Sequence, residues 1–195
     1  MKNVCIVGIQ GNMGRRYKAV LDYLDVAVSG TDINGYTYQY EENKADGYII
    51  ATPTSGHLLD IINLRDKNKP ILCEKPITIG MLPNIGGKEL VTMVCQYQYL
   101  IDKSSVGPTY YDYFRSGSDG LIWDTINILG LAKEMPTIKN ESPIWKCAIN
   151  GKELSIADMD NAYIKMLMDW MKNPRSNWDF ATVAHERAAN KWVKK

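Results

Sequence analysis

The sequence predicts an α/β protein: an N-terminal Rossmann-type parallel sheet over residues 1–80, then a small, truncated C-terminal α+β domain over 81–195. Three observations carry this. A compact apolar run ends in glycines spaced by three, between Asn3 and Gly14. A second apolar run ends in an acid, Asp32. Two further runs, at 47–52 and 71–73, are each closed by a turn containing proline, at Pro53 and Pro76. The last helix is free to pack back on the first domain.

Val4 to Val7 reads as an inner strand, because a strand buried on both faces is a short, nearly unbroken apolar run. Gly8, Gly11 and Gly14 follow. The first lets the chain turn off the strand, the second leaves room for a pyrophosphate, and the third lets the next helix pack close. Tyr17, Val20, Leu21 and Leu24 then recur at helical spacing, so the positive end of that helix, at Asn12 and Met13, points at the glycines and attracts phosphate.

Val26 to Val28 is the second strand. Asp32 stands 24 positions after Gly8, about where a carboxylate accepts hydrogen bonds from an adenosine ribose. Each signal has a plainer explanation, an ordinary strand-to-helix turn for the glycines and a turn residue beside Gly30 and Asn34 for Asp32. Together they favour a dinucleotide.

Residues 33–46 contain no convincing helix where a crossover is expected. The alternation of Tyr36, Tyr38 and Tyr40 suggests an extended segment with a tyrosine row used for packing. Gly47 to Thr52 is the third strand, and Thr52, Pro53, Thr54 and His57 lie at its carboxyl end, the edge where open α/β sheets bind ligands. Thr54 or Ser55 can cap the helix carrying Leu58, Ile61 and Ile62. His57 suits capping or packing better than proton donation. Ile71 to Cys73 is the fourth strand and ends in Glu74 and Lys75.

The composition narrows the function. A net charge of +1 from 23 basic and 22 acidic residues gives no footprint for nucleic acid or an anionic membrane. No apolar run approaches the ~20 residues of a membrane span, and the N-terminus lacks a leader pattern, so a cytoplasmic protein is expected. The four cysteines are scattered through apolar runs and there are two histidines. Reduced, buried thiols and no metal site are expected.

The motifs GIQGNMGR, ATPTSGH and CEKPI, in this order across residues 1–80, resemble those of the glucose-fructose oxidoreductase, inositol dehydrogenase and MocA family of NAD(P)-dependent oxidoreductases. The resemblance implies a Rossmann domain and a C-terminal domain whose open sheet often mediates oligomerisation. It places Lys75 beside the nicotinamide and the substrate hydroxyl, and implies a cis peptide between Glu74 and Pro76. The chemistry asked of Lys75 is clear in any case. An ammonium bonded to a carbinol oxygen stabilises an alkoxide and can relay a proton.

Beyond Pro76 the resemblance thins. Leu90 to Tyr97 reads as a strand continuing to Leu100, with no arginine after it. The stretch 118–128 looks like a reduced version of the family's later motif. If Asp124 matches its first aspartate, Ile128 stands where the family has its acid/base histidine. Lys75 could work instead with Asp124, Tyr97, Tyr99 or Asp119, since a nearby lysine lowers a tyrosine's pKa. Asp124, beside Trp123, Ile126 and Leu129, equally fits a solvent-facing or capping residue.

Residues 144–149 and 152–156 flank Asn150-Gly151, a strong hairpin signal. Asp158 or Asp160 then caps a helix with Tyr163, Met166, Leu167, Trp170 and Met171 on its apolar side. A last helix carries Phe180, Val183, Ala184, Ala188 and Trp192. On it Glu186 and Arg187 suggest a solvated face for His185. Only 75 residues follow Gly120, so the second sheet is small and poorly covered, and a homodimer or higher homo-oligomer is expected.

The expected activity is hydride transfer between a nicotinamide and a secondary alcohol or carbonyl. The resemblance implies a small polar substrate, sugar- or cyclitol-like. Asp32 favours NAD, because a carboxylate repels a 2′-phosphate, while Arg15 and Arg16 leave room for NADP. The rival reading is a catalytically silent dinucleotide-binding protein, a sensor or assembly component, which the missing histidine supports.

Overall fold

A computed structural model describes residues 1–32, 44–100, 109–112, 137–139, 141–149 and 151–192. The chain divides into two compact units, Met1–Val94 with Leu167–His185, and Cys95–Met166 with Glu186–Lys195.

The first unit holds β1 (Asn3–Val7), α1 (Asn12–Tyr23), β2 (Ala27–Thr31), β3 (Gly47–Ile50), α2 (Thr54–Leu64), β4 (Ile71–Cys73) and β5 (Val91–Met93). The strands form one parallel sheet in the order β2-β1-β3-β4-β5. This is the predicted α/β class. Val4, Ile6, Ile49, Ile50, Ile71 and Leu72 are buried in its centre, and α1 contributes Tyr17 and Leu21, α2 Ile61 and Leu64. The chain leaves β1 for β2 on one side and returns to β3 on the other. Such a switch in strand order opens a crevice at the carboxyl ends of β1 and β3.

Several boundaries differ from those read in the sequence. The second strand runs over Ala27–Thr31, because Ser29 and Gly30 are buried and a Cβ at Gly30 would collide with Ile9. The third strand stops at Ile50. Helix α2 starts at Thr54 with Pro53 at its N-cap and no side-chain cap, so neither Thr54 nor Ser55 caps it; the φ of −58° at Pro53 already suits helix entry. The strand expected over Leu90–Tyr97 is confined to Val91–Met93. Val94 still donates to the Cys73 carbonyl at 2.9 Å, but β4 ends at Cys73, and Gln96–Tyr99 coils into a 3-10 turn.

The return segment Leu167–His185 completes the first unit. Asn177 clamps Met93, its Oδ1 accepting from the Met93 amide at 2.7 Å and its Nδ2 donating to the Met93 carbonyl at 2.9 Å. The Thr92 hydroxyl donates to the Arg175 carbonyl at 2.5 Å, and the Ser176 hydroxyl to the Lys88 carbonyl at 2.7 Å. The Asn177 pair thus occupies the outward-facing backbone groups of Met93 at the edge of β5.

The second unit carries a mixed sheet, β7-β6-β8-β9, built from β6 (Thr109–Asp112), β7 (Thr137–Lys139), β8 (Lys146–Ile149) and β9 (Lys152–Leu154). β8 and β9 are the predicted antiparallel hairpin, with Gly151 at φ +75° as a tight turn requires. Helix α3 (Ile156–Lys172) begins in this unit, and α4 (Trp178–Trp192) begins in the first. At the start of α3, Ser155 and Asp158 bond reciprocally: the Ser155 amide and hydroxyl donate to Asp158 Oδ2 at 2.8 and 2.7 Å, and the Asp158 amide donates to Ser155 Oγ at 3.1 Å. This is a capping box. Asp158 thus acts from inside the helix, with Ser155 as the cap.

Candidate cofactor and catalytic site

Strand register decides which residues share the functional edge. Thr31, Val7, Ile50, Cys73 and Met93 lie in one row across the sheet. One residue later along each strand come Asp32, Gly8, Ala51, Glu74 and Val94, and then Thr52 and Lys75. The sequence-predicted residues of the first unit are therefore gathered on one rim.

At the switch point Gly8 has φ +85°, and a Cβ there would lie 2.8 Å from the backbone of Ala51 and Thr52. A Cβ on Gly14 would lie 2.1 Å from the Gly8 carbonyl oxygen. Both glycines are dictated by backbone meeting backbone. Gly11 is exposed and stands at the N-cap of α1 with no side-chain cap, and the first turn of α1, which contains Asn12 and Met13, holds no acid. The positive end of α1 follows a turn with glycines at Gly8 and Gly11, which fits a diphosphate.

Asp32 and Arg15 meet at one residue of this turn, Gln10. Asp32 Oδ2 accepts from the Gln10 amide at 3.0 Å, and Arg15 Nε donates to the Gln10 carbonyl at 2.8 Å. The carboxylate is thereby aimed along the glycine turn.

The next rim residues are tied inward. The Thr52 hydroxyl donates to Asp60 Oδ2 at 2.6 Å. His57 is 1% exposed and its ring spans two loops, Nε2 lying 2.6 Å from the Thr52 carbonyl oxygen and Nδ1 2.7 Å from that of Pro76. Pro53 is exposed and Thr54 half-buried beside them. Glu74 is buried; its Oε1 accepts from the Tyr17 hydroxyl and its Oε2 from the Lys75 amide at 3.1 Å. Burial, with Glu74 and Asp60 nearby, pushes the neighbouring Cys73 thiol well up. Lys75 is half-buried at the rim, and the Lys75–Pro76 peptide is cis, as the resemblance implied.

Two residues, His185 on the return segment and Tyr17 on α1, differ from what the sequence suggests. His185, expected on a solvated face, is fully buried: Nδ1 lies 2.7 Å from the Ala181 carbonyl and Nε2 accepts from the Thr78 amide at 3.4 Å. Helical neighbours point about 100° apart, so exposed Glu186 said nothing about it. Tyr17 was read only as packing. Its hydroxyl, and a buried acid with no other visible partner in the sequence, were the available signal. Tyr97 belongs to the second unit and is buried. Asp124, Asp119 and the tyrosine row Tyr36, Tyr38 and Tyr40 lie outside the described residues.

No protein-family model and no curated protein sequence matches the chain. Solved structures do. A myo-inositol dehydrogenase from Lactobacillus casei, in complex with NAD(H) and myo-inositol, aligns with a TM-score of 0.67 at 14% identity, covering 99% of this chain and 94% of that one. A Gfo/Idh/MocA family oxidoreductase from Vibrio cholerae gives 0.69 at 9% identity, covering 100% of both. The chain shares the fold of these proteins. The WlbA (WbpB) dehydrogenase from Thermus thermophilus, in complex with NAD and UDP-GlcNAcA, shares it, with a TM-score of 0.63 at 14% identity over 97% of this chain and 94% of that one. Within this shared fold, the glycine turn and Lys75 occupy one rim of one sheet. Among the described residues no helix is long and apolar enough to cross a membrane.

Proposed function

We propose that this protein is an NAD(P)-dependent oxidoreductase that moves hydride between the nicotinamide and a secondary alcohol or carbonyl of a small polar, sugar- or cyclitol-like molecule. One observation carries the reading: the open N-terminus of α1 behind Gly8, and Lys75 two strands along the same rim. Two strand spacings of about 4.8 Å put the strand ends roughly 10 Å apart, within reach of one dinucleotide. The solved structures of this fold that contain NAD and a sugar or cyclitol support the same choice.

In this reading Gly8, Gly11, Asn12, Met13 and Gly14 receive the pyrophosphate, and Asp32 the adenosine ribose. Thr52, Pro53, Thr54 and His57 shape the wall between the two strand ends, and Glu74 orients Lys75. NAD is favoured over NADP because Asp32 repels a 2′-phosphate and the Arg15 guanidinium already bonds the Gln10 carbonyl. The nicotinamide, when bound, supplies the hydride acceptor or donor. As a base takes the hydroxyl proton, the Lys75 ammonium hydrogen-bonds the substrate oxygen and stabilises the negative charge that develops there, a charge that is consumed when hydride departs and the C=O bond forms. Tyr97 and Asp124 are the candidates to carry the proton onward. We place the protein in the cytoplasm as a homodimer or higher homo-oligomer, which sedimentation at micromolar concentration would read.

The test is calorimetry with NAD and NADP, then a hydride-transfer screen on polyols, cyclitols and keto sugars with wild type and Lys75→Ala. Turnover that the variant loses while still binding NAD supports the proposal. Failure to bind either nucleotide overturns it, and binding without turnover on any substrate leaves a dinucleotide-binding protein with no redox activity.

A further inference from the structure

The loop that follows Lys75 is held at two points by histidines. His57, on α2, reaches the Pro76 carbonyl, and His185, on α4, reaches the Thr78 amide. His57 lies inside one of the sequence motifs. His185 lies 107 residues from Thr78, outside every motif.

The geometry fixes what His185 does. Nδ1 faces the Ala181 carbonyl oxygen at 2.7 Å, and beside a carbonyl only a nitrogen bearing hydrogen is stable, so Nδ1 carries the proton. Nε2 then presents its lone pair to the Thr78 N–H, at 3.4 Å, a long but aligned bond. Burial disfavours the charged ring and keeps this tautomer neutral. The helix carrying it is anchored to the same sheet by Asn177, whose amide clamps Met93 at both backbone atoms. Asn177 and His185 thus run from the edge of β5 to the loop after β4.

We propose that His185 is a positioning residue for Lys75: its Nε2 fastens the loop at Thr78, three residues past the lysine, to helix α4, and so sets where the ammonium stands. The role rests on the catalytic part assigned to Lys75 above. The return segment therefore belongs to the active site of the first unit, although none of its side chains need touch substrate.

The test uses the ligand-free full chain, so it does not depend on finding a substrate. Amide hydrogen exchange reads Thr78, and labelling with trinitrobenzenesulfonate, followed by mass spectrometry, reads Lys75. His185→Phe keeps a ring and removes the acceptor; His185→Gln restores an acceptor near the position of Nε2. Thr78 exchange should speed up about fivefold in the Phe variant, the worth of one hydrogen bond, the Lys75 labelling rate should change with it, and the Gln variant should return both toward wild type. Unchanged Lys75 labelling in a folded Phe variant overturns the proposal. Should that variant not fold, imidazole nitrogen shifts of wild type decide: a proton on Nδ1 supports the proposal and one on Nε2 refutes it. A chain that binds no NAD would defeat the proposed oxidoreductase while leaving these readings of His185 intact.

Discussion

The Tyr17 hydroxyl, on the helix behind the glycine turn, donates to Glu74 Oε1, one residue before Lys75. The element that would grip the cofactor and the loop that would meet the substrate are thus joined by one buried side-chain pair. Tyr17→Phe keeps the ring and leaves a buried carboxylate oxygen short of a donor, at a cost of about 1–3 kcal/mol. Urea unfolding should show this loss. An unchanged midpoint would mean that water replaces the hydroxyl at no cost.

Gly14 allows no side chain. With the Gly8 carbonyl oxygen 2.1 Å from the place a Cβ would take, Gly14→Ala must push α1 off the sheet. A loss of at least ~1–3 kcal/mol is expected, together with loss of NAD binding. Thermal melting and calorimetry read the two effects separately. A variant that binds NAD as wild type does would show that the turn is not the phosphate site.

Asp32 holds the Gln10 amide and is assigned the ribose. Replacing it by serine removes the charge that repels a 2′-phosphate. A hydrogen bond to a charged group is worth about 1.5–3 kcal/mol, so NAD affinity should fall roughly 10- to 100-fold while NADP affinity rises. Titration with both nucleotides gives the ratio, and a ratio that does not move would remove Asp32 from the cofactor site.

Burial holds His185 below its ordinary value of 6.5. The unfolded chain then binds this proton more readily than the folded one, so unfolding takes up a proton as the solution is acidified. The stability it contributes is complete above 6.5 and is lost as pH falls through that value toward the lower, folded one. Asp46 is held below its usual 3.8 by the amides of Lys2 and Asn3 and acts only at lower pH. Urea unfolding from about pH 8 to about pH 5 should show wild-type stability falling relative to His185→Gln. A constant difference would refute the buried, neutral ring.

Cys5, Cys73, Cys95 and Cys147 are buried thiols outside any disulfide. Only a thiolate attacks. Ellman's reagent should therefore find no fast thiol in the native chain and four after unfolding, and fast labelling of any of them would contradict the packing.

Much of the first unit was legible because local rules govern it. Val4 to Val7 is apolar since both sheet faces are covered, and Gly8 and Gly14 are glycines since backbones meet there. The hairpin at Gly151 follows from turn chemistry. What escaped was set by partners far along the chain. Nothing near Asn177 announces that its amide will clamp Met93, and nothing near His185 announces Thr78. Strand ends at Ile50 and Met93 depend on where a neighbouring strand stops, which no local pattern records.

The membership of Leu167–His185 in the first unit also has a consequence for synthesis. A ribosome finishing Val94 has delivered every strand of the parallel sheet, yet Asn177, which clamps Met93, and His185, which ties Thr78, are still to be synthesised. At about 5–20 residues per second, roughly 4–15 s pass before Leu167 emerges. During that interval the nascent sheet carries an open flank, where a chaperone would find its work.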